Sequence, residues 1–275
     1  MEYFTTAAGI TVHLMDTRDS KKDDNKEKTV ILLHGYLETM NIWNELAELL
    51  KERYRVIVLD MPGHGLTDSA PAREDGCVVN SMEFCADLVK ALIEKCGASH
   101  ICLGGHSMGG YVTLAFCRKY PELIEKAVIF NSNPYKDDPA KSDDRRREIE
   151  IIRSGKLEML AELSIPKMFK SENLRLYDDK ILETIELCDM HNPEGIVASV
   201  LGMQQREDNS EVLNNPPVPV MMFEGDSDRF MDIDRVKKMM ADYPKVKHVL
   251  LENTGHNSFI EAMPEVYKQM CEFIG

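Results

Sequence analysis

Short, unbroken apolar runs alternate with segments of helical periodicity along most of this chain. Thr29-Val30-Ile31-Leu32-Leu33 and Arg55-Val56-Ile57-Val58-Leu59 read as strands covered on both faces, because a strand wetted on one side would alternate polar and apolar positions. Ile101-Cys102-Leu103, Ala127 to Phe130, Val218 to Phe223 and Val246 to Leu251 continue the series. Between them, Ile42, Leu46, Leu49 and Leu50 predict a helix over 41–53, and Tyr111 to Cys117 predict another. Asn80 or Ser81 can cap a third that runs to Cys96, since both side chains can accept from the first free N–H groups of a helix. Helices over 233–241 and 264–274 complete the pattern. Strand and helix in turn imply a parallel sheet with crossover helices.

Two stretches break the alternation. Residues 2–17 alternate around Gly9 with Ile10, Val12 and Leu14 on one face, which predicts an opening β-hairpin; the polar run from Asp19 to Lys28 then reads as a solvated loop. From Asn133 to Pro217 helices follow one another without strands, over 142–154, 156–163 and 178–189, then behind an Asn192 cap with Pro193 in the first turn. The expected organisation is a core built from 1–132 and 218–275, interrupted by a helical lid over 133–217.

Composition narrows the function. With 275 residues, 43% of them hydrophobic and 29% charged, the chain can bury the core of one large domain. Forty-seven acidic residues against 33 basic ones give a net charge of −14, which would repel phosphate backbones and anionic bilayers, so neither nucleic acid nor membrane is an expected partner. Met1 to Thr6 lack the basic and apolar regions of a signal peptide, and no apolar run approaches spanning length; the expectation is a cytoplasmic protein. Seven cysteines without a C-x-x-C pair suggest small core residues rather than a disulfide framework. No P-loop, dinucleotide fingerprint or metal-ligand spacing such as H-E-x-x-H occurs, so no cofactor and no metal are expected.

The candidate chemistry centres on Gly105-His106-Ser107-Met108-Gly109, placed between a predicted strand and a predicted helix. Such a pattern arises by chance in roughly one chain in ten of this length, so its partners must decide. In open α/β sheets functional groups gather beyond the carboxyl ends of the strands. Those ends here are His34-Gly35-Tyr36, Asp60 to Ser69, Ser107, Asn131-Ser132, Asp226 to Asp228 and Gly255-His256. A serine, an acid and a histidine thus follow one another in that order.

On these residues the chain resembles the serine-nucleophile α/β-hydrolases of the esterase and lactonase type, over nearly its whole length. The matching segments are His34-Gly35-Tyr36, Asp60 to Thr67 in the pattern D-x-P-G-H-G-x-T, the turn at Ser107, Gly225 to Asp228, and Gly255-His256 with Pro264-Glu265 downstream. The resemblance implies an α/β-hydrolase fold, a mostly parallel sheet with flanking helices and an inserted helical lid. It implies Ser107 as nucleophile, His256 as base and Asp228 as orienting acid, with Asp226 as a turn former. It further implies an oxyanion hole from the backbone N–H groups of Tyr36 and Met108, and a small or medium ester, thioester or lactone as substrate.

Two other readings stay open on the sequence: C–C bond hydrolysis or menaquinone-pathway-type lyase chemistry with the same triad, and a small-molecule receptor on a hydrolase scaffold. His34 and His64 are expected to organise loop backbone, and His13, His100, His191 and His248 to be surface or core residues. Met159, Met168, Met190 and Met203 are expected mostly to fill the seam between lid and core, and Arg145-Arg146-Arg147 to form a solvated helix face from which one arginine could reach a substrate carboxylate.

Overall fold

The computed structural model describes residues 1–18 and 28–275, so the loop expected over 19–27 lies outside the described residues. Eight strands form one sheet: β1 (Glu2–Ala7), β2 (Ile10–Asp16), β3 (Thr29–Leu33), β4 (Arg55–Leu59), β5 (Ile101–His106), β6 (Lys126–Phe130), β7 (Val220–Gly225) and β8 (Lys247–Leu251), in the order β1-β2-β4-β3-β5-β6-β7-β8. From β4 to β8 every pairing is parallel, whereas the β1-β2 hairpin adds antiparallel to β4. Ala8 and Gly9 make the hairpin turn with φ of 48° and 81°, the doubly positive pair that matches the twist of the flanking strands. All residues of β3, β4 and β7 are buried, as two-sided coverage demands.

The helices of the core are α1 (Asn44–Leu50), α2 (Met82–Cys96) and α3 (Met108–Lys119). Of the two candidate caps for α2, Ser81 takes the role and accepts from the Phe84 N–H, and Gly97 closes the helix at φ 54°. Five helices then occupy the stretch between β6 and β7: α4 (Pro139–Arg153), α5 (Leu157–Ser164), α6 (Asp178–Cys188), α7 (Pro193–Gln204) and α8 (Ser210–Asn214). Helix α4 begins three residues earlier than its apolar spacing suggests, because Asp138 caps it and Pro139 fits its first turn. Asn192 caps α7 through the Glu194 and Gly195 N–H groups. The chain closes with α9 (Ile233–Asp242), α10 (Ser258–Glu261) and α11 (Met263–Ile274).

The core is densest beneath the carboxyl ends of β5 and β6. Trp43, Phe130, Phe223 and Phe259 are fully buried there, with Trp43 4.2 Å from Phe259 and Phe130 stacked 5.2 Å from Phe223 between ring centres. Rings of this size bury enough apolar surface that truncating one costs about 3–5 kcal/mol. They fix the floor on which the strand ends stand. All seven cysteines are free thiols, and no helix is long and apolar enough to cross a membrane among the described residues.

Candidate active site

Ser107 sits between β5 and α3 with φ 48° and ψ −108°, a left-handed conformation that is strained for any residue with a Cβ. Two glycines make the turn sterically feasible. A Cβ on Gly105 would lie 2.1 Å from the Gly109 carbonyl oxygen, and one on Gly109 would lie 2.4 Å from the Leu33 carbonyl oxygen. The Ser107 N–H bonds the Phe130 carbonyl at 3.0 Å, and the Ser132 hydroxyl donates to the Ser107 carbonyl at 2.8 Å. These bonds hold the apex while leaving the Ser107 side chain facing a cavity.

That cavity has a volume of about 360 Å³ and is lined by Tyr36, Ser107, Tyr111, Arg145, Phe230 and His256 among others. Nδ1 of His256 is 2.7 Å from Oδ2 of Asp228, and Phe230 packs its ring 4.8 Å from the imidazole. The acid is itself held from several sides. Its Oδ1 accepts the Phe230 N–H at 2.7 Å and the Met231 N–H at 3.2 Å, and Asn131 donates to Oδ2 at 3.1 Å. Burial alone would raise the Asp228 carboxyl, but the neighbouring His256 and these donors outweigh it and hold the group below the ordinary carboxylate range. The Asp226 carboxylate, two residues earlier, accepts the Ser227 hydroxyl within the turn. No hydrogen bond joins the Ser107 hydroxyl to the His256 ring among the described residues.

The Tyr36 and Met108 N–H groups flank the serine, one from the loop after β3 and the other at the start of α3. Neither has an acceptor among the described residues. The loop after β3 is anchored by a fully buried Glu38, whose Oε2 accepts the Gly35 N–H at 2.7 Å and lies 2.9 Å from Nδ1 of His106. Among the described residues the Tyr36 hydroxyl is buried without a hydrogen-bond partner, and burial pushes its phenol well up.

His34 and His64 organise backbone, as expected. Nε2 of His34 accepts the Met61 N–H at 2.8 Å, and Nε2 of His64 accepts the Leu37 N–H at 3.4 Å. Asp60 ties its own loop to two other segments, accepting the Leu66 and Met40 N–H groups and pairing with His13 in β2. No group of three or more histidine, cysteine or carboxylate side chains is placed to hold a metal ion among the described residues.

Two expectations about the helical segment need correction. Arg145 leaves the solvated face of α4: its side chain is 8% exposed and lies in the cavity wall, pairing through Nε with Oδ2 of Asp137 at 3.3 Å. Arg146 and Arg147 remain exposed. The helix turns Arg145 inward because Asp137, on the inner side of its start, offers a buried partner that Arg206 shares at 2.6 Å. The methionines also divide. Met168 and Met203 are buried and line the cavity, whereas Met159 and Met190 are 40% and 48% exposed, on outward faces of the segment.

The segment is fastened to the core at several points. Asn80 donates to the Gly195 carbonyl at 3.1 Å and to the Ser199 hydroxyl at 2.9 Å, and Glu261 accepts the N–H groups of Lys170 and Gly255 at 3.0 and 2.6 Å. Sequence reading misses Glu38 and Asp137, and it places His106 in the serine turn and Asn131 at a strand end without giving either a role.

Comparison with known proteins agrees with this architecture. An uncharacterized hydrolase YugF of Bacillus subtilis is 24% identical over 259 residues, 90% of each chain. A 2-hydroxy-6-oxononadienedioate/2-hydroxy-6-oxononatrienedioate hydrolase of Paraburkholderia phymatum is 24% identical over 97% of this chain and 91% of its own. Among solved structures, a thermophilic esterase from Thermogutta terrifontis in a malate-bound form superposes with a TM-score of 0.86 at 27% identity, covering 100% of this chain and 98% of that one. The family-wide sequence pattern of the alpha/beta hydrolase fold matches residues 28–262, and with sheet, turn and strand-end residues arranged as described, the chain belongs to the α/β-hydrolase fold family.

Proposed function

We propose that the protein is a serine hydrolase that cleaves a small or medium carboxylic ester, thioester or lactone through an acyl-enzyme. The observation that carries this reading is the placement of Ser107, at a strained apex between two unpaired N–H groups, in one cavity with a histidine already oriented by a buried carboxylate. A serine hydroxyl is a weak nucleophile at neutral pH, so a base must take its proton as it attacks. With Nδ1 donating to Asp228, the opposite nitrogen of His256 carries the lone pair that can do so.

In the reaction Ser107 Oγ bonds to the carbonyl carbon and its proton passes to His256. The carbonyl oxygen becomes an oxyanion facing the Tyr36 and Met108 N–H groups, whose loss individually would cost about 3 kcal/mol of barrier. Collapse returns the proton to the departing alcohol oxygen and leaves the acyl-serine. Water then repeats the sequence, so ester and water yield acid and alcohol. The segment over 133–217 acts as the cap that selects substrate, since α4 and α7 supply Arg145 and Met203 to the cavity wall.

A second reading, C–C bond hydrolysis, is favoured by the Paraburkholderia relative, which matches along nearly the whole chain. The two separate on assay. A fluorophosphonate probe should label Ser107, and p-nitrophenyl esters of two to six carbons should turn over with wild type but not with Ser107→Ala. Absence of labelling on folded protein would sink the nucleophile assignment, and turnover of vinylogous 1,5-diketones without ester hydrolysis would favour the second reading.

A further inference from the structure

We propose that Glu38 and His106 form a buried, proton-bearing pair that positions His256 and the oxyanion loop together and tunes the base from behind. The inference rests on the serine-hydrolase reading of the same site. His106 directly precedes Ser107 in the serine turn, and Glu38 lies 68 positions away, in the loop after β3. Both side chains are fully buried.

The hydrogen bonds dictate where the protons are. Oε2 of Glu38 already accepts the Gly35 N–H at 2.7 Å, and Nδ1 of His106 approaches the same oxygen at 2.9 Å. The other ring nitrogen, Nε2, lies 3.2 Å from the His256 carbonyl oxygen, which can only accept. A neutral imidazole has one N–H, whereas this ring faces an acceptor at each nitrogen. With Nε2–H donating to the His256 carbonyl, the contact between Nδ1 and Oε2 needs one further proton, and we place it on the ring against the Glu38 carboxylate. Burial would raise the Glu38 carboxyl, yet His106 and the Gly35 N–H outweigh it and hold it below the ordinary range.

One pair thus touches three parts of the site: the loop carrying the Tyr36 N–H, the turn carrying Ser107, and the backbone of His256. Gly35 packs directly on the pair, for a Cβ there would lie 2.7 Å from Nδ1 of His106 and 2.9 Å from Oε2 of Glu38. The His106 ring also stands edge-on to the His256 ring, 4.8 Å between centres, with the Phe259 ring behind it at 5.0 Å. Charged or titratable groups facing the two rings are Glu38 and His34 from the end of β3 and its loop, and Asp228 from the loop after β7. His34 is neutral, since Nδ1 donates to the Gly35 carbonyl while Nε2 accepts from Met61. The cationic end of the pair is the end next to His256, so removing its charge changes the field at the base.

These are positioning residues, and their effect is separable from folding. Glu38→Gln keeps an oxygen that can accept from Gly35 and His106 but removes the carboxylate charge, so the ring next to His256 loses the partner of its positive charge. We expect kcat on p-nitrophenyl acetate to fall about tenfold or more with KM nearly unchanged, because the oxyanion loop serves the transition state. The acid limb of the pH–kcat/KM profile should move upward by roughly half a unit or more, and Glu38→Asp should restore the limb at least in part. A second measurement needs neither turnover nor a variant: nitrogen-15 shifts of the His106 ring in the wild-type chain at pH 7 should show both nitrogens protonated. An unprotonated His106 nitrogen, or an acid limb that stays in place in folded Glu38→Gln, overturns the proposal. If no ester is hydrolysed by wild type, the hydrolase reading fails on its own while the nitrogen shifts still decide the pair.

Discussion

Nδ1 of His191, just beyond α6, accepts the N–H of Gly65 at 2.9 Å, so a side chain of the helical segment clamps a core loop only while its ring is neutral. His64 lies between it and His34, 5.2 Å from each ring, and both of those also accept from backbone N–H groups. Burial lowers all three rings, His191 to about 4, with His64 lowered further by its two neighbours.

Acid should therefore loosen this seam first. Rings that stay neutral in the folded state but titrate near 6.5 when unfolded leave stability whole above about pH 6.5. It then declines as pH falls toward the folded values, near 4 for His191, by about 1.4 kcal/mol per pH unit for each ring. Urea midpoints at pH 7.5 and pH 5 test this. In His191→Gln the decline should be shallower, and an unchanged slope would discount that ring.

Asp228→Asn should lower kcat by roughly four orders of magnitude by presenting the wrong tautomer of His256. Asp226→Asn, which alters only a turn bond, should stay near wild type. Steady-state hydrolysis of a short p-nitrophenyl ester compares the two, and the reverse ranking would move the acid to Asp226.

Gly109→Ala should cost about 1–3 kcal/mol in thermal or urea unfolding, since its methyl would meet backbone rather than a pliable side chain. Activity should fall further than stability explains, because relief of the clash moves the Met108 N–H. Wild-type turnover in this variant would show that the turn has more room than the contacts allow.

Asp137→Ala would leave Arg145 and Arg206 as buried cations without their shared carboxylate. Breaking such a pair costs about 3–5 kcal/mol. The triple replacement Asp137→Ala, Arg145→Met and Arg206→Met should recover much of that stability while changing which esters are accepted. Equal substrate profiles for wild type and the triple variant would take this wall out of the specificity argument.

How far the chain could be read before folding depends on where its information lies. Strands β3, β4 and β6 announce themselves because two-sided burial writes an apolar run into adjacent positions. Helix α8 has five residues and α10 four, too few for a period to repeat. Arg145 has the same local spacing whether it faces water or Asp137, so its burial is a property of the partner. Glu38 reads as one polar residue in a loop; its meaning comes from a histidine 68 positions on. Asn80 and Ser81 are equally good caps by type, and the choice is made by Asn80 bonding across to α7.

The helices α4 to α8 are, topologically, one long crossover from β6 to its parallel neighbour β7. Register between those strands is fixed by four residue pairs that do not involve the crossover, and doubling the length of a connection costs only about 0.6 kcal/mol in closure entropy. The catalytic platform is in that sense indifferent to what spans it. On the proposed function, a rewritten or exchanged stretch should leave the reaction intact and admit a new guest, provided the fastenings at Asn80 and Glu261 are rebuilt.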